Sequence, residues 1–332
     1  MVSVLLPVRD AESTISACVR SMQRQRLESF ECVLVDDGST DRSVAVYRAA
    51  AGDDPRFRIV GGTGEGIVPA LNLGLEHCRG TFVARMDGDD VMHRDRLAAQ
   101  HVAAERSDRP LLLGCHTRLF PRDDNLGSGI RQYEKWLNSL LDGTDVQRDR
   151  FVECPLPHPT WFVRRSRMME IGYQDVDWPE DYDFLLRHLA AGGEIGTVPR
   201  RLLAWRHGPT RLSQRSPRYG PKAFTRCKAH HLARGYLRDH PTFDLWGYGA
   251  TGRSLCRELA GHGRQPRWIV ETHPGRVGQT IAGARVVSPG EVDATQLERL
   301  LVSVAGAEPR EQIRRWLTDH GHVEGQTFIC LA

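Results

Sequence analysis

Long hydrophobic runs are missing from this chain. Nothing in its 332 residues approaches the roughly 20 consecutive apolar residues that a membrane-crossing helix needs, so no transmembrane segment is expected. Charge of one sign is missing too. The 45 basic and 42 acidic residues leave a net charge of +3, which gives no strong electrostatic preference for nucleic acid. Lysine is almost absent: Lys135, Lys222 and Lys228 are the only three, so 42 of the basic residues are arginine. Genome composition and phosphate recognition both account for such a bias. The eight cysteines contain no C-x-x-C pair, which favours free thiols in a reducing compartment. No signal peptide is expected, because a strand-like run begins at Val2. The expected location is cytoplasmic, with peripheral contact at the inner membrane left open.

What is present points to an enzyme. Hydrophobic residues make up 40%, enough for real cores, and the length calls for two domains. The most informative stretch is TFVARMDGDDVMHRDRL, residues 81–97. An apolar run, Phe82-Val83-Ala84, leads into three carboxylates, Asp87, Asp89 and Asp90, with Gly88 between the first two. Carboxylates this close repel one another and are costly to bury unless a cation offsets them. Mg²⁺ and Mn²⁺ prefer such hard oxygen ligands together with phosphate oxygens and water. The competing reading is an acidic turn with Asp as a helix cap.

The N-terminal half alternates in period. VSVLLPV reads as a buried strand, and Ile15, Cys18, Val19 and Met22 stand at i, i+3, i+4, i+7 of an amphipathic helix. FECVLVDDGSTD is a second strand, followed by the helical RSVAVYRAA. That order predicts a parallel sheet with crossovers, whose ligands bind beyond the C-terminal strand ends. Asp10, Asp36–Asp37 and Asp87–Asp90 all fall at such ends.

PVRDAESTI, VLVDDGSTD, GIVPALNLGLEHCRGTFVARMDGDD, CPLPHPTWFVRRS, WPEDYDFLLRHLAAG and LLAWRHGPTRLS occur in this order. Together, over about residues 2–215, they resemble the family 2 glycosyltransferases, inverting metal-dependent enzymes of the GT-A fold. Asp10 stands where that family often has Asn, and residues 118–150 match none of its motifs. The resemblance implies a nucleotide-diphosphate sugar as donor and Mn²⁺ or Mg²⁺ as cofactor. It places the donor against Pro7, Val8, Arg9, Asp10, Glu12, Asp37, Asn72, Arg85, Asp87 and Gly88. Asp37 would contact the nucleobase or ribose, Pro7 and Val8 would flank the base, Asn72 would orient a loop or the ribose, and Arg85 would lie near the diphosphate. By themselves Asn72 and Arg85 read equally well as a helix-face amide and a surface cation. The metal ligands implied are Asp87, Asp89 and Asp90, with His207 as phosphate or metal neighbour.

An inverting transfer needs one base opposite the leaving group. WPEDYDFLLRHLAAG is helical from Asp183 onward, with Phe184, Leu185 and Leu189 as its apolar stripe and Gly192-Gly193 ending it. Glu180 and Asp181 then sit at the helix N-terminus, where acidic residues also serve the helix dipole. The resemblance makes Asp181 the base and Glu180 its neighbour, whose charge would raise the Asp181 pKa. His158 and Trp178 are the expected acceptor contacts, although a lone His or Trp is commonly structural.

Beyond Ser216 the chain changes character. A basic stretch, helical from about Pro221 to His240, precedes a strand and then Gly247-x-Gly249-x-x-Gly252, a helix, and a strand ending at Glu271. That is the dinucleotide fingerprint in its required setting. Helices are expected near 291–299 and 309–320. The expected organisation is α/β: a GT-A type nucleotide-diphospho-sugar transferase domain at 1–215, a helical linker at 216–241 and a small Rossmann-like α/β domain at 242–332. That last domain lacks a separate site for a hydride substrate. NAD or NADP is the weaker reading for it, and structural, oligomeric or acceptor-docking roles are preferred. The expected partners are a sugar nucleotide, a glycan, lipid-linked or other hydroxyl acceptor, and a second copy of the chain. The alternatives are a nucleotidyltransferase, which would want a Gly-rich, Lys/Arg-bearing phosphate loop after the first strand, and a catalytically degenerate sugar-nucleotide-binding module, which would have lost a carboxylate.

Overall fold

The computed structural model describes residues 1–121, 127–208 and 211–332. Pro209 and Thr210 of the LLAWRHGPTRLS motif lie outside the described residues. The chain forms two compact units. The first comprises Met1–Gln147, Pro155–Val176 and Glu180–Arg215, and the second Arg148–Cys154, Asp177–Pro179 and Ser216–Ala332.

The first unit begins with strand β1 (Val2–Val8), helix α1 (Ile15–Gln23), β2 (Phe30–Asp36), α2 (Ser43–Ala51), β3 (Phe57–Gly61), α3 (Ile67–His77) and β4 (Phe82–Arg85). Every residue of β1 is buried, as a strand covered on both faces by crossover helices requires. Helix α1 turns Ile15, Cys18, Val19 and Met22 inward, as its spacing dictates. The unit continues through β5 (Val91–Met92), α4 (Arg96–Ala104), β6 (Leu111–Pro121), α5 (Ser128–Leu137), α6 (Gly143–Arg148), β7 (Phe162–Arg164), α7 (Arg165–Ile171), α8 (Glu180–Ala190), β8 (Glu194–His207) and α9 (Leu212–Arg215).

The sheet order is β3-β2-β1-β4-β7-β6-β8-β5. β1 pairs in parallel with both β2 and β4. β7 runs antiparallel to β4 and β6, and β6 is parallel to β8. The C-terminal ends of β1, β2, β4, β6 and β8 therefore share one rim. The α/β fold of the GT-A type expected for this half is the fold observed. Two details differ. Helix α8 starts at Glu180 rather than Asp183, so the acidic pair lies within its first turn. The stretch from 118 to 150, which matched no motif, carries the end of β6 together with α5 and α6.

The second unit contains α10 (Pro221–Arg234), β9 (Thr242–Trp246), α11 (Ala250–Gly261), β10 (Gln265–Val270), β11 (Thr280–Ile281), β12 (Ala284–Val287), β13 (Leu300–Val302), α12 (Ala307–Asp319) and β14 (Phe328–Cys330). Its sheet runs β11-β12-β10-β9-β13-β14, parallel except for β11. The glycine-rich loop follows β9, where the strand order reverses. Helix α10 ends at Arg234, six residues short of His240. The helix expected near 291–299 is only a 3₁₀ turn, Ala294–Gln296. Asp293 accepts from the Thr295 backbone N–H at 2.9 Å, a local turn that competes with a longer helix, and Arg299 lies at φ 49°, outside the helical region. All eight cysteines are buried thiols, none of them joined in a disulfide. Among the described residues no helix is long and apolar enough to cross a membrane.

Candidate active site

The rim is built from residues just past β1, β2 and β4. In the sheet Val8 stands opposite Asp36, and Leu5 opposite Arg85. Pro7 and Val8 are buried at the end of β1. Beyond them Asp10 adopts φ 51°, a conformation that Asn and Asp tolerate better than most residues. This accounts for Asp where Asn is common. The Asp10 carboxylate accepts from the Thr40 backbone N–H at 2.8 Å, and its own N–H donates to Ser39 Oγ at 3.1 Å. Glu12 makes a similar exchange with Asp41 and Arg42, each bond 3.0 Å. These residues stitch the loop after β1 to the loop after β2. Asp37 is 5% exposed. It donates its N–H to Val8 O at 2.8 Å, accepts from Gly66 N–H at 3.2 Å, and lies 3.8 Å from the guanidinium of the exposed Arg9.

After β4 the carboxylates of Asp87, Asp89 and Asp90 each bring an oxygen within 4.8 Å of the others. Gly88 packs closely there: a Cβ on it would meet the Val8 Cγ2 methyl at 3.1 Å, so that side chain would have to give way to any larger residue. Asp90 is fully buried. Its Oδ1 accepts from the Arg206 backbone N–H at 2.7 Å, and its Oδ2 has no hydrogen-bond partner among the described residues. Burial, with Asp87 and Asp89 adding to it, pushes the Asp90 carboxyl well above the usual carboxylate range. Burial and then Asp87 raise Asp89 as well. Arg85, also buried, forms an ion pair with Asp87. A buried carboxylate oxygen without a partner, beside two more carboxylates, is a donor set that fits a hard divalent cation. The β8 residue that touches this group is Arg206, whose Nε donates to Asp89 O at 2.8 Å. His207 is not in the close group. Burial and then Arg211 hold its imidazole below the usual range.

The acidic pair of α8 lies in the same unit. Glu180 is buried at 2% exposure. Asp181 is half-buried. Burial, and next the Glu180 charge, raise the Asp181 carboxyl to about 7, while the field of Arg85 acts in the other direction. Tyr173, which the sequence did not single out, sits in the field of Arg85, Glu180 and Asp181. Its hydroxyl lies 2.7 Å from His158 Nε2. Asn72 grips the Tyr173 backbone from both sides, donating to its carbonyl at 2.9 Å and accepting from its N–H at 3.1 Å. His158 is 6% exposed and packs against Trp161 and Tyr173. Burial and then Arg85 hold its imidazole well below the usual range, so it is neutral. Trp178 groups with the second unit, its ring 5.0 Å from that of His230. Tyr173 carried no periodic or spacing signal. Arg206 was adjacent to a motif histidine and could have been weighed on that ground.

In the second unit Gly247 (φ 93°) and Gly252 are packing glycines. A Cβ on Gly247 would meet Val304 Cγ2 at 2.6 Å, and one on Gly252 would run into Gly247 O. Gly249 faces open space within 4 Å. The Glu271 carboxylate accepts from the N–H groups of Tyr248 (3.1 Å), Thr272 (2.9 Å) and His273 (3.2 Å), and pairs with Arg276 at 2.8 Å.

A family model described as "Glycosyl transferase family 2" matches residues 3–171. The uncharacterized glycosyltransferase EpsJ of Bacillus subtilis is 37% identical over 221 residues, which cover 64% of this chain and 63% of EpsJ. The alignment thus spans less than two thirds of that relative. Among solved structures, TarS of S. aureus in complex with UDP-GlcNAc superposes with a TM-score of 0.57 at 15% identity, covering 79% of this chain and 72% of that one. The mannosyltransferase PcManGT of Pyrobaculum calidifontis, in complex with GDP-Man and Mn²⁺, does so with a TM-score of 0.50 at 20% identity, covering 79% and 68%.

Proposed function

Because the chain belongs to glycosyl transferase family 2, we propose that it moves a sugar from a nucleoside-diphosphate donor to an acceptor hydroxyl with inversion at the anomeric carbon. The observation that carries this reading is a three-carboxylate rim in the same unit as a carboxyl raised to about 7 at Asp181. UDP-GlcNAc and GDP-Man are the donors held by the two solved transferases above, and they support this donor class.

The nucleoside end of the donor lies against Pro7, Val8 and Asp37, on loops that Asp10 and Glu12 tie together. Asp87, Asp89 and Asp90 would hold Mn²⁺ or Mg²⁺, and the bound ion supplies Lewis-acid neutralisation of the departing diphosphate. The guanidinium of Arg85 fixes Asp87 from behind. Ionised Asp181 accepts the proton of the acceptor hydroxyl. The oxygen so activated bonds to the anomeric carbon as the bond to the diphosphate oxygen breaks, and the proton remains on Asp181. Attack opposite the leaving group inverts the centre, through an oxocarbenium-like transition state as in glycoside hydrolysis. Buried Glu180 serves by its charge, keeping the Asp181 pKa near working pH.

A thermal-shift screen of nucleoside diphosphates with Mn²⁺ tests the donor half, since a ligand that binds only the native state raises its melting temperature. The wild type should shift with Mn²⁺ and one nucleotide together, and Asp89→Ala should not. Full transfer activity in excess EDTA would overturn the metal assignment.

A further inference from the structure

A buried ring cluster ties the first turn of α8 to the end of β4. The backbone N–H of Arg85, the last residue of β4, donates to Trp161 O at 2.9 Å. The ring of Phe184 on α8 lies 5.4 Å from that of Trp161 and 5.0 Å from that of Tyr173. Phe184 stands three positions after Asp181 and four after Glu180, spacings that share one helix face. Packing Phe184 on Trp161 thus turns the acidic pair toward the strand end that carries Arg85, and Glu180 is buried there.

The Arg85 guanidinium is a cation common to both acidic groups. Its side chain is 5% exposed and pairs with Asp87. No second carboxylate pairs with it among the described residues, and its Nε, shielded from solvent, has no hydrogen-bond partner among them. A charge so buried is screened little by water or salt. Its field reaches Asp181, Tyr173 and His158, while Asp87 and Asp90 act on it from the rim. Around Asp181 stand Glu180 and, further along α8, Asp183, which pairs with Arg187 at 2.6 Å. Tyr173 and His158 are neutral, since burial raises the phenol and lowers the imidazole. Glu180 and Arg85 therefore act on Asp181 with opposite sign.

We propose that Arg85 is a positioning residue for the base, a buried charge held by Asp87 between the acidic rim and the first turn of α8, where it favours Asp181 in its proton-accepting form. Asp87 takes up part of the guanidinium's field, so offsetting the Asp87 charge, as a cation on the rim would, leaves more of that field for Asp181. This rests on the glycosyl-transfer reading above, and the test separates the two. The infrared band of protonated carboxyl that Asp181→Asn removes is titrated, without metal or donor, in wild type, Arg85→Gln, Arg85→Lys and Asp87→Asn. Circular dichroism melts check the fold of each. The midpoint should rise by about 1 pH unit in Arg85→Gln, the scale of losing one nearby opposite charge. It should stay closer to wild type in Arg85→Lys, which keeps a charge, and fall in Asp87→Asn. Transfer by Arg85→Gln should drop about fivefold near pH 7 and recover near pH 9, as a midpoint one unit higher requires. A residue that only packs, or only touches the diphosphate, would leave the midpoint in place. An unchanged or lowered midpoint in Arg85→Gln would overturn the proposal. If that variant does not fold, an unchanged or raised midpoint in Asp87→Asn would do so. An absence of transfer in every protein, with the opposite shifts intact, would instead count against the transfer reading.

Discussion

Asp149 and Arg314 stand 165 positions apart in the chain and share a 2.5 Å hydrogen bond in the interior of the second unit. Arg314 also pairs with Glu324 at 2.8 Å. The same unit takes in Val152, which packs on its apolar core. The Lys228 ammonium on α10 donates to Val152 O at 2.9 Å and Leu331 O at 3.0 Å. Residues 148–154 and α10 are thus built into the second unit together with residues 242–332. Asp149→Asn removes a buried charge while Arg314 keeps Glu324, so a loss of about 1–3 kcal/mol is expected. The fragment 242–332 should unfold with low cooperativity, and the fragment 216–332 with a peptide of residues 148–154 should recover part of it. Calorimetry reads both, and a sharp transition for 242–332 alone would refute the intercalation.

Asp181→Asn separates binding from chemistry. Donor affinity should stay within about twofold, and kcat should fall roughly 10²-fold or more, the scale of a lost general base. The base form is the ionised one, so kcat/KM should rise with pH to a plateau with its midpoint near 7. Stability runs the other way. The folded-state pKa lies above the unfolded value near 4, so the folded protein binds more protons between about pH 4 and 7 and loses stability as pH rises through that window. The variant should therefore melt above wild type at pH 8 and gain less at pH 5. A wild-type kcat would make Asp181 only a helix-terminus acid.

The product carries its own test. An α-linked nucleotide donor should give a β-linked product, because a single displacement inverts the centre. The anomeric coupling constant of the isolated product, measured by NMR, decides it. A retained linkage would refute both the mechanism and the role given to Asp181.

The glycine loop of the second unit should behave as packing. In a dinucleotide site the acidic residue after the second strand accepts from the ribose, but Glu271 is already engaged by three N–H groups and Arg276. Gly252→Ala should destabilise, since its Cβ would meet Gly247 O, and Gly249→Ala should be nearly neutral in melting temperature. Calorimetric titration with NAD or NADP should give no tight binding. Tight binding abolished by Gly249→Ala would show that the loop holds a pyrophosphate.

Elements defined by local pattern were legible in the sequence. The period of Ile15, Cys18, Val19 and Met22 made α1, and the β-branched run of β2 led directly to Asp36 and Asp37, because burying a face or both sides of a strand constrains neighbours only a few positions apart. The same holds for Gly247-x-Gly249-x-x-Gly252, which runs from the end of β9 into the first turn of α11. Local pattern failed where a short polar turn competes with a helix, as at Asp293, and where a helix begins ahead of its apolar stripe, as at Glu180. Tertiary structure alone decided which residues meet across the chain. Arg206 reaches Asp90 over 116 positions, Asn72 holds Tyr173 over 101, and Asp149 finds Arg314 over 165. Such pairs follow from sheet order and from the need to satisfy buried polar groups. Neither leaves a period or a spacing in the sequence.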